Sequence, residues 1–400
     1  MTVAVIGGGA SGLMAAITAA RAGAAVYLLE RQPRVGKKLL ATGNGRCNLT
    51  NINMSSANFH GENAAFARPA LSCFDTGAAL SFFKELGLVT IAEQDGRVYP
   101  LSDQAGSVVD VLRFAAESLG VILRTDFYVQ SIQRKGGGFL VCAEDECIAS
   151  DKVIICCGGL AGGKLGGSKS GYELLTALGH HVTKLYPALV QLKTDTAFVK
   201  ALKGVRADAE ISVLRGKTAL AKGGGEVQFT EYGVSGPAIF ELSRAVSAGG
   251  DGLFLELDLM RPMQKAELFS AIVRRIDTFP QLKLEDLLTG MLQNRLGRTV
   301  LRYAGYELNA PITSLTKADT EKIAAAVKCI KLKVIGTMGF DGAQVTAGGI
   351  KTSEFNAETL ESRLVPGLYA AGEVLDIDGD CGGYNLQWAW ASGHLAGQTL

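Results

Sequence analysis

Apolar and polar positions divide the chain into three textures. Thr2–Ile6 is an unbroken apolar run, Gly7–Ala20 is a stretch of small and apolar residues without charge, and Ala25–Leu29 is a second apolar run ending on Glu30. Runs of this kind make parallel strands buried on both faces, joined by a helix. The period then lengthens. Residues 76–90 carry Ala78, Leu80, Phe82, Phe83 and Leu86 at helical spacing and end near Gly87, and Val108–Leu119 is a second helix stopping at Gly120. Val121–Arg124, Phe127–Gln130, Phe139–Cys142 and Lys152–Cys157 are expected to form a small sheet layered on the N-terminal core, the last strand running into Gly158–Gly159.

A different texture begins near Tyr186. Leu189–Leu192, Ala209–Leu214, Glu226–Thr230 and Leu253–Asp258 alternate like antiparallel strands, with a helix starting at Gly236–Pro237. Residues 264–328 are helical by periodicity, broken at Pro280 and Pro311, before Lys331–Ile335 and Ala343–Thr346 return to strand character. The third texture resembles the first: Gly367–Asp376 is a strand ending on Gly372–Glu373, and Gly382–Gly397 is a closing helix. The pattern predicts an α/β protein with a discontinuous Rossmann-like domain, residues 1–190 and 346–400. A β-rich insertion, residues 191–262 and 331–345, carries a helical subdomain at residues 263–330.

Composition adds bounds. Four hundred residues exceed one small core, and 48% hydrophobic with 20% charged residues is ordinary for a globular chain. A net charge of +1, from 40 basic and 39 acidic residues, supplies no bulk attraction to nucleic acid or an anionic membrane. No charge-free apolar run reaches the ~20 residues of a membrane span. The chain starts on its own first core strand, so a soluble, cytoplasmic protein is expected. None of the 8 cysteines forms a C-x-x-C pair, and reduced thiols are the default. The 4 histidines lack zinc-ligand spacing, so no metal is expected.

The candidate chemistry begins at Gly7, Gly9 and Gly12, which fit G-x-G-x-x-G with Ala10 and Ser11 in the first helical turn. Gly7 permits the tight turn, Gly9 lets backbone N–H groups approach a pyrophosphate, and Gly12 lets helix and strand pack closely. Glu30, ending the second strand, can accept hydrogen bonds from an adenosine ribose. The fingerprint alone suits NAD or FAD. After it comes no plain helix but a basic loop, in which Arg31, Lys38, Thr42, Gly43, Asn44, Gly45, Arg46, Cys47 and Asn48 are suited to wrapping an anionic cofactor. Val129 joins the candidate set from the Phe127–Gln130 run, and Cys157–Gly158 ends another strand where backbone can approach a ligand.

The C-terminal segment decides between the dinucleotides. Gly372, Glu373 and Asp376 can place acids near a ribityl chain, while Gly382, Gly383, Tyr384, Asn385 and Leu386 open a helix that can aim N–H groups at a flavin pyrimidine. NAD has no use for this element, so non-covalent FAD is expected. With one fingerprint in the chain there is no separate NADPH domain, and NADH or NADPH acting as electron donor would bind transiently. Cys47 lacks the partner five residues away that a flavin-side disulfide needs, so Cys47 and Cys381 are expected as cofactor-lining thiols. Two residues are catalytic candidates. Arg46 is read as a cation near the cofactor or a substrate carboxylate, with a structural salt bridge as the alternative; Tyr384 is read as a donor or wall at the ring, with packing as the alternative. Trp388 and Trp390 are expected in the core, and His180–His181 as a helix-end pair.

Thr42-Gly-Asn-Gly-Arg-Cys-Asn-Leu-Thr-Asn51, Phe229-Thr-Glu-Tyr-Gly-Val-Ser-Gly-Pro237 and Gly372-Glu-Val-Leu-Asp-Ile-Asp-Gly-Asp-Cys-Gly-Gly-Tyr-Asn-Leu-Gln387 resemble one bacterial family. It is the aminoacetone-oxidase-like group of FAD-binding proteins, built like glutathione reductase, which also includes bile-acid-pathway flavoproteins. The resemblance spans essentially the whole chain. It implies bound FAD, a cytoplasmic protein, and a β-rich insertion with a small helical subdomain. Members have unlike activities, so the implied reaction is hydride transfer with a small organic substrate, of amine-oxidase or enone-reductase type. A flavin-bearing tRNA-binding or tRNA-modifying protein, and a redox-sensing flavoprotein without turnover, remain alternatives.

Overall fold

The computed structural model describes all 400 residues in two compact units, residues 1–186 with 344–400, and residues 187–343. In the first, five parallel strands lie in the order Leu368–Ala370, Lys152–Ile155, Thr2–Ile6, Ala25–Leu29, Ile122–Arg124. Val3, Ala4 and Val5 of the central strand are wholly buried, which is why every position there is apolar. Two strands expected in a side sheet therefore belong to the main one. Val153-Ile-Ile155 is the unbroken apolar run of a doubly covered strand. The side sheet is instead antiparallel, Ser131–Lys135, Gly138–Cys142 and Cys147–Ser150, and residues 127–130 form no strand.

That hairpin corrects the expectation of reduced thiols. Its register sets Cys142 opposite Cys147, and the two form a disulfide with Cα atoms 4.0 Å apart. Cys142–Cys147 is the disulfide of the structure, and Cys47, Cys73, Cys156, Cys157 and Cys329 remain thiols.

Two helices, Ala10–Arg21 and the closing Tyr384–Gln398, pack backbone to backbone. Gly393 faces the Ser11 carbonyl, and a Cβ on Gly397 would stand 2.6 Å from the Ala15 oxygen. Trp388 and Trp390 are buried as expected. Each indole N–H donates to a loop carbonyl, Trp388 to Gly372 at 3.1 Å and Trp390 to Leu49 at 2.9 Å. One helix thereby holds two loops that are far apart in the chain.

The second unit contains a closed barrel. Leu192–Thr194, Gly233–Ser235, Thr218–Phe229, Arg206–Arg215, Leu253–Asp258 and Ile330–Thr337 follow one another, every pair is antiparallel, and the last pairs back to the first. Closure leaves no free edge. Gly223 and Gly225 lie within the long strand because the helix Pro237–Gly249 rests on it. Leu242 and Ala238 come within 3.4 and 3.6 Å of where the missing Cβ atoms would be. The expected helical region comprises Lys265–Thr278, Asn294–Tyr303 and Lys317–Lys328, which bury Leu268, Ile272, Val300, Ile323 and Val327. No helix is long and apolar enough to cross a membrane.

His180 follows the helix Ser170–Ala177 and is a buried fastener. Its Nδ1 lies 3.0 Å from Glu354 Oε2, its Nε2 lies 3.0 Å from Ser362 Oγ, and its ring stacks on Phe355. The spacing matches a Ser-His-acid triad, but the Ser362 oxygen also accepts the Leu364 and Val365 N–H groups and the residue is buried, so it offers no accessible nucleophile.

Two predictions follow from this packing. Gly397→Val drives a side chain into the first helix and should lower stability by about 1–3 kcal/mol; an unchanged urea midpoint would contradict the contact. Burial lowers the pKa of both His180 and His394, the latter also through Arg21. The unfolded chain thus takes up protons first, below ~6.5. Stability should hold above that pH and decline as pH falls toward 5. Glu354, held below the usual carboxylate range by its His181 and His180 hydrogen bonds despite burial, adds a further loss below ~4.3. Urea midpoints from pH 8 to 5 check the sign.

Candidate active site

Gly7 turns the first strand with φ +106°, its N–H donates to Leu29 at 2.7 Å, and a Cβ there would meet the Cys156 carbonyl at 2.5 Å. A Cβ on Gly12 would collide with the Gly7 carbonyl. Gly9 caps the N-terminal helix, no side chain occupies the cap, and its missing Cβ faces open space. Ala10 and Ser11 supply the next N–H groups of this first turn, an arrangement that favours an anion. Glu30 stands beside it, accepting the Gly8 and Gln32 N–H groups at 2.7 Å each. Each carboxylate oxygen keeps lone-pair capacity for a ribose hydroxyl. Val129 is buried, and Gly158 has φ +68° with open space at its Cβ position. Burial pushes the Cys157 thiol up to about 12, so it is inert. Arg31 donates to the Gly166 carbonyl at 2.8 Å and pins the glycine-rich loop.

The second segment is a run of left-handed backbone: Gly43 at φ +56°, Asn44 at +58°, Gly45 at +87° and, after Arg46, Cys47 at +65°. Thr42 closes it, its hydroxyl on the Leu39 carbonyl and its own carbonyl accepting the Cys47 N–H at 3.0 Å. Non-glycine residues in this region are uncommon and mark a loop over-determined by its surroundings. Cys47 is fully buried and its thiol is pushed up to about 12.

The third segment meets the other two. Lys38 pairs with Glu373 at 2.9 Å, and the other Glu373 oxygen accepts the Thr346 N–H at 2.9 Å. A Cβ on Gly372 would lie 2.5 Å from Ser11 Oγ. Gly382 and Gly383 have φ +131° and +101°, and Gly383 caps the closing helix without a side-chain cap. Asn385 braces this turn through Gly379, Asp376 is buried and accepts the Glu62 N–H, and Leu386 packs on the core. Two orphans lie here. Asn48 Oδ1 is buried without a partner, 2.9 Å from where a Gly383 Cβ would be. The Tyr172 hydroxyl is likewise buried and unpartnered, held protonated by burial and by the carboxylates of Glu373 and Asp376. Two uncapped helix N-termini, open glycines and orphaned polar atoms are what a bound dinucleotide fits.

A model of the HI0933-like protein Rossmann domain matches residues 1–399. The chain belongs to the HI0933-like family. It is 42% identical over 403 residues to a 3-dehydro-bile acid delta(4,6)-reductase of Clostridium scindens, covering 99% of this chain and 98% of that one. It is 29% identical over 396 residues to the ribosomal RNA dihydrouridine synthase of Escherichia coli, covering 99% and 97%. Among solved structures, the 3-ketosteroid delta1-dehydrogenase of Sterolibacterium denitrificans superposes with a TM-score of 0.51 at 13% identity, over 99% and 98% of the chains, which shows a shared fold. This HI0933-like protein is an FAD-dependent oxidoreductase.

The two catalytic candidates are placed differently. Arg46 lies over Tyr99, 3.9 Å from the ring centroid, and its guanidinium donates to Asp103 and, at 2.8 Å, to Glu93. Its donors are thus engaged by neighbouring carboxylates. Tyr384 is buried, edge-on to Phe59 with centroids 6.3 Å apart. Residues outside the initial set also converge on the Gly382 turn. Asn51 Nδ2 donates to the Gly382 carbonyl at 2.9 Å, and Arg97 Nε comes within 3.4 Å of the Gly382 Cβ position. Asn51 was visible as the last residue of the Thr42–Asn51 motif. Arg97 carried no signal, because its strand, Arg97–Pro100, is too short to show a period.

Glu30→Gln removes the charge and one of the two acceptors that orient Gly8 and Gln32. FAD affinity should fall about 10- to 100-fold, or ~1.4–2.8 kcal/mol. Fluorescence titration of the apoprotein measures it, and wild-type affinity would contradict the assigned role.

Proposed function

We propose that this HI0933-like protein reduces a carbon–carbon double bond conjugated to a carbonyl in a bile-acid-like polycyclic ketone, with NADH or NADPH as the electron source. The observation that carries the proposal is 42% identity across 99% of the chain to a reductase whose name specifies a 3-oxo steroid acid. A more distant relative, at 29% identity, makes dihydrouridine, which is also saturation of a double bond next to a carbonyl. One reaction class therefore unites relatives whose substrates differ greatly in size. FAD held in this cradle would supply the hydride.

The chain's own part is to bind and orient. The uncapped turn at Gly9–Gly12 and the carboxylate of Glu30 would hold the adenosine half, while Lys38 and Glu373 fix the middle of the cradle. The N-terminus of the closing helix at Gly383 favours negative charge where a flavin ring would become reduced. The near-neutral charge of +1 gives no electrostatic reason to prefer an RNA substrate.

Anaerobic stopped-flow spectroscopy tests the proposal. NADH or NADPH should bleach the bound flavin, and a 3-oxo-4,6-dienoic bile acid should restore its colour with uptake of two hydrogens per double bond. Reduction of the flavin by aminoacetone, without reoxidation by any enone, would instead make the protein an amine oxidase. Reoxidation by a ribosomal RNA fragment alone would favour the RNA reading.

A further inference from the structure

Residues 124–130 connect the adenosine side of the cradle to the hairpin that carries the disulfide. The Arg124 carbonyl accepts the Glu30 N–H at 2.8 Å, the Phe127 N–H donates to the Glu30 carbonyl at 2.9 Å, and the Asp126 N–H donates to the Gln32 carbonyl at 3.1 Å. These residues run as a strap along the segment that presents Glu30. Within the strap Asp126 has φ +54°, a left-handed conformation that costs a non-glycine residue free energy and persists only where its surroundings impose it.

The hairpin holds the other side of the strap. The Gln130 N–H donates to the Cys142 carbonyl at 2.8 Å. At the hairpin tip the two Glu146 oxygens accept from both arms of the Arg124 guanidinium, at 3.0 and 2.6 Å, and that guanidinium lies 5.5 Å from the Phe127 ring centroid. Exposed ion pairs usually contribute little, but this forked geometry is the exception, and it requires the tip to keep its place. Cys147, the residue after Glu146, opens the outer strand of the three-stranded sheet, which has a neighbour on one side only. Its disulfide to Cys142 pins that strand where it leaves the tip. Cys147 is exposed and Cys142 is buried, so a reductant reaches the bond from the Cys147 side.

We propose that the Cys142–Cys147 disulfide is a redox-sensitive clamp on FAD affinity. Oxidised, it holds the strap, and with it Glu30, in the geometry that takes the adenosine ribose; reduced, it releases the hairpin tip and weakens FAD binding. The inference goes beyond the reaction proposed above and rests on the assignment of Glu30 to the ribose. The co-reactant is a dithiol. One of its thiolates attacks Cys147 Sγ, the protein S–S bond breaks, and Cys142 leaves with the electron pair and takes up a proton. The second thiol of the reductant then resolves the mixed disulfide and frees Cys147 as a thiol. Two electrons and two protons have passed to the protein, and the dithiol has become a disulfide. By linkage the effect is reciprocal: bound FAD makes the Cys142–Cys147 bond harder to reduce by the same factor.

The test uses the full-length, FAD-loaded protein without oxygen, in oxidised or reduced dithiothreitol. Dissociation is read from recovered flavin fluorescence on dilution, with absorbance checking that the flavin stays oxidised. Reduction should raise the FAD dissociation constant by about 5-fold or more, the lower end of coupling between linked sites. The double variant Cys142→Ser, Cys147→Ser should bind at the weakened level in either buffer. Glu146→Gln, which keeps the disulfide and removes the tip's charge from Arg124, should lose part of the difference. In the converse arm, alkylation of Cys142 and Cys147 reads the ratio of reduced to oxidised dithiothreitol that opens half of the bond, and excess FAD should raise that ratio by the same factor. Equal affinity of the two redox states, with Glu30→Gln still weakened, would overturn the clamp alone, as would a half-reduction ratio indifferent to FAD. Wild-type affinity in Glu30→Gln would remove the ribose role and the clamp with it.

Discussion

The backbone contact between the first helix and the last is the constraint on which the rest of the nucleotide-binding unit depends. Gly393 and Gly397 let Tyr384–Gln398 lie directly on Ala10–Arg21, against the carbonyls of Ser11 and Ala15. Because the helices touch, Ser11 in the first turn of one lies against Gly393, well inside the other, and Gly372 comes against Ser11. Trp388 and Trp390 extend the effect by tying the Gly372 and Leu49 carbonyls to the closing helix. The Gly9 and Gly372 parts of the cradle are thus set by one piece of close packing, since interiors packed this tightly transmit small displacements.

Electrostatics then divides the cradle into fixed and responsive groups. Arg46, Lys38 and Glu373 are paired, and burial silences the thiols of Cys47 and Cys157. Of four buried side-chain oxygens without a partner, two bear on the cradle: Asn48 Oδ1 against Gly383, and the Tyr172 hydroxyl, which feels the Glu373 charge; Ser150 and Thr230 hold the others elsewhere. In folded proteins such orphans are few, and Asn48 beside the uncapped helix end at Gly383 is one that a hydrogen-bonding ligand would satisfy.

Much of this was legible in the residues because it is local. The strand, the glycines and Glu30 fall within thirty positions, and the spacing of G-x-G-x-x-G follows from the geometry of one turn. The nature of the cofactor was legible too, because Gly372–Gln387 has no use in an NAD site. What could not be read depends on pairing across long separations. Barrel closure requires Ile330–Thr337 to return to Leu192–Thr194, and the Cys142–Cys147 disulfide requires a hairpin register that alternation alone leaves open. Arg97 was invisible for the same reason, since only its pairing with Asn51 brings it to the Gly382 turn. Arg46 was conspicuous in the motif, yet its charge is met by Asp103 and Glu93, far from it in the chain.

The central claim is that three remote segments form one cradle for a single FAD. Amide hydrogen exchange of the apoprotein with and without FAD tests it most directly. The account predicts that FAD raises protection together at residues 7–13, 42–48 and 372–386. Protection confined to residues 7–30, with the other two segments unchanged, would contradict it and leave only an adenine-nucleotide site at the N-terminus.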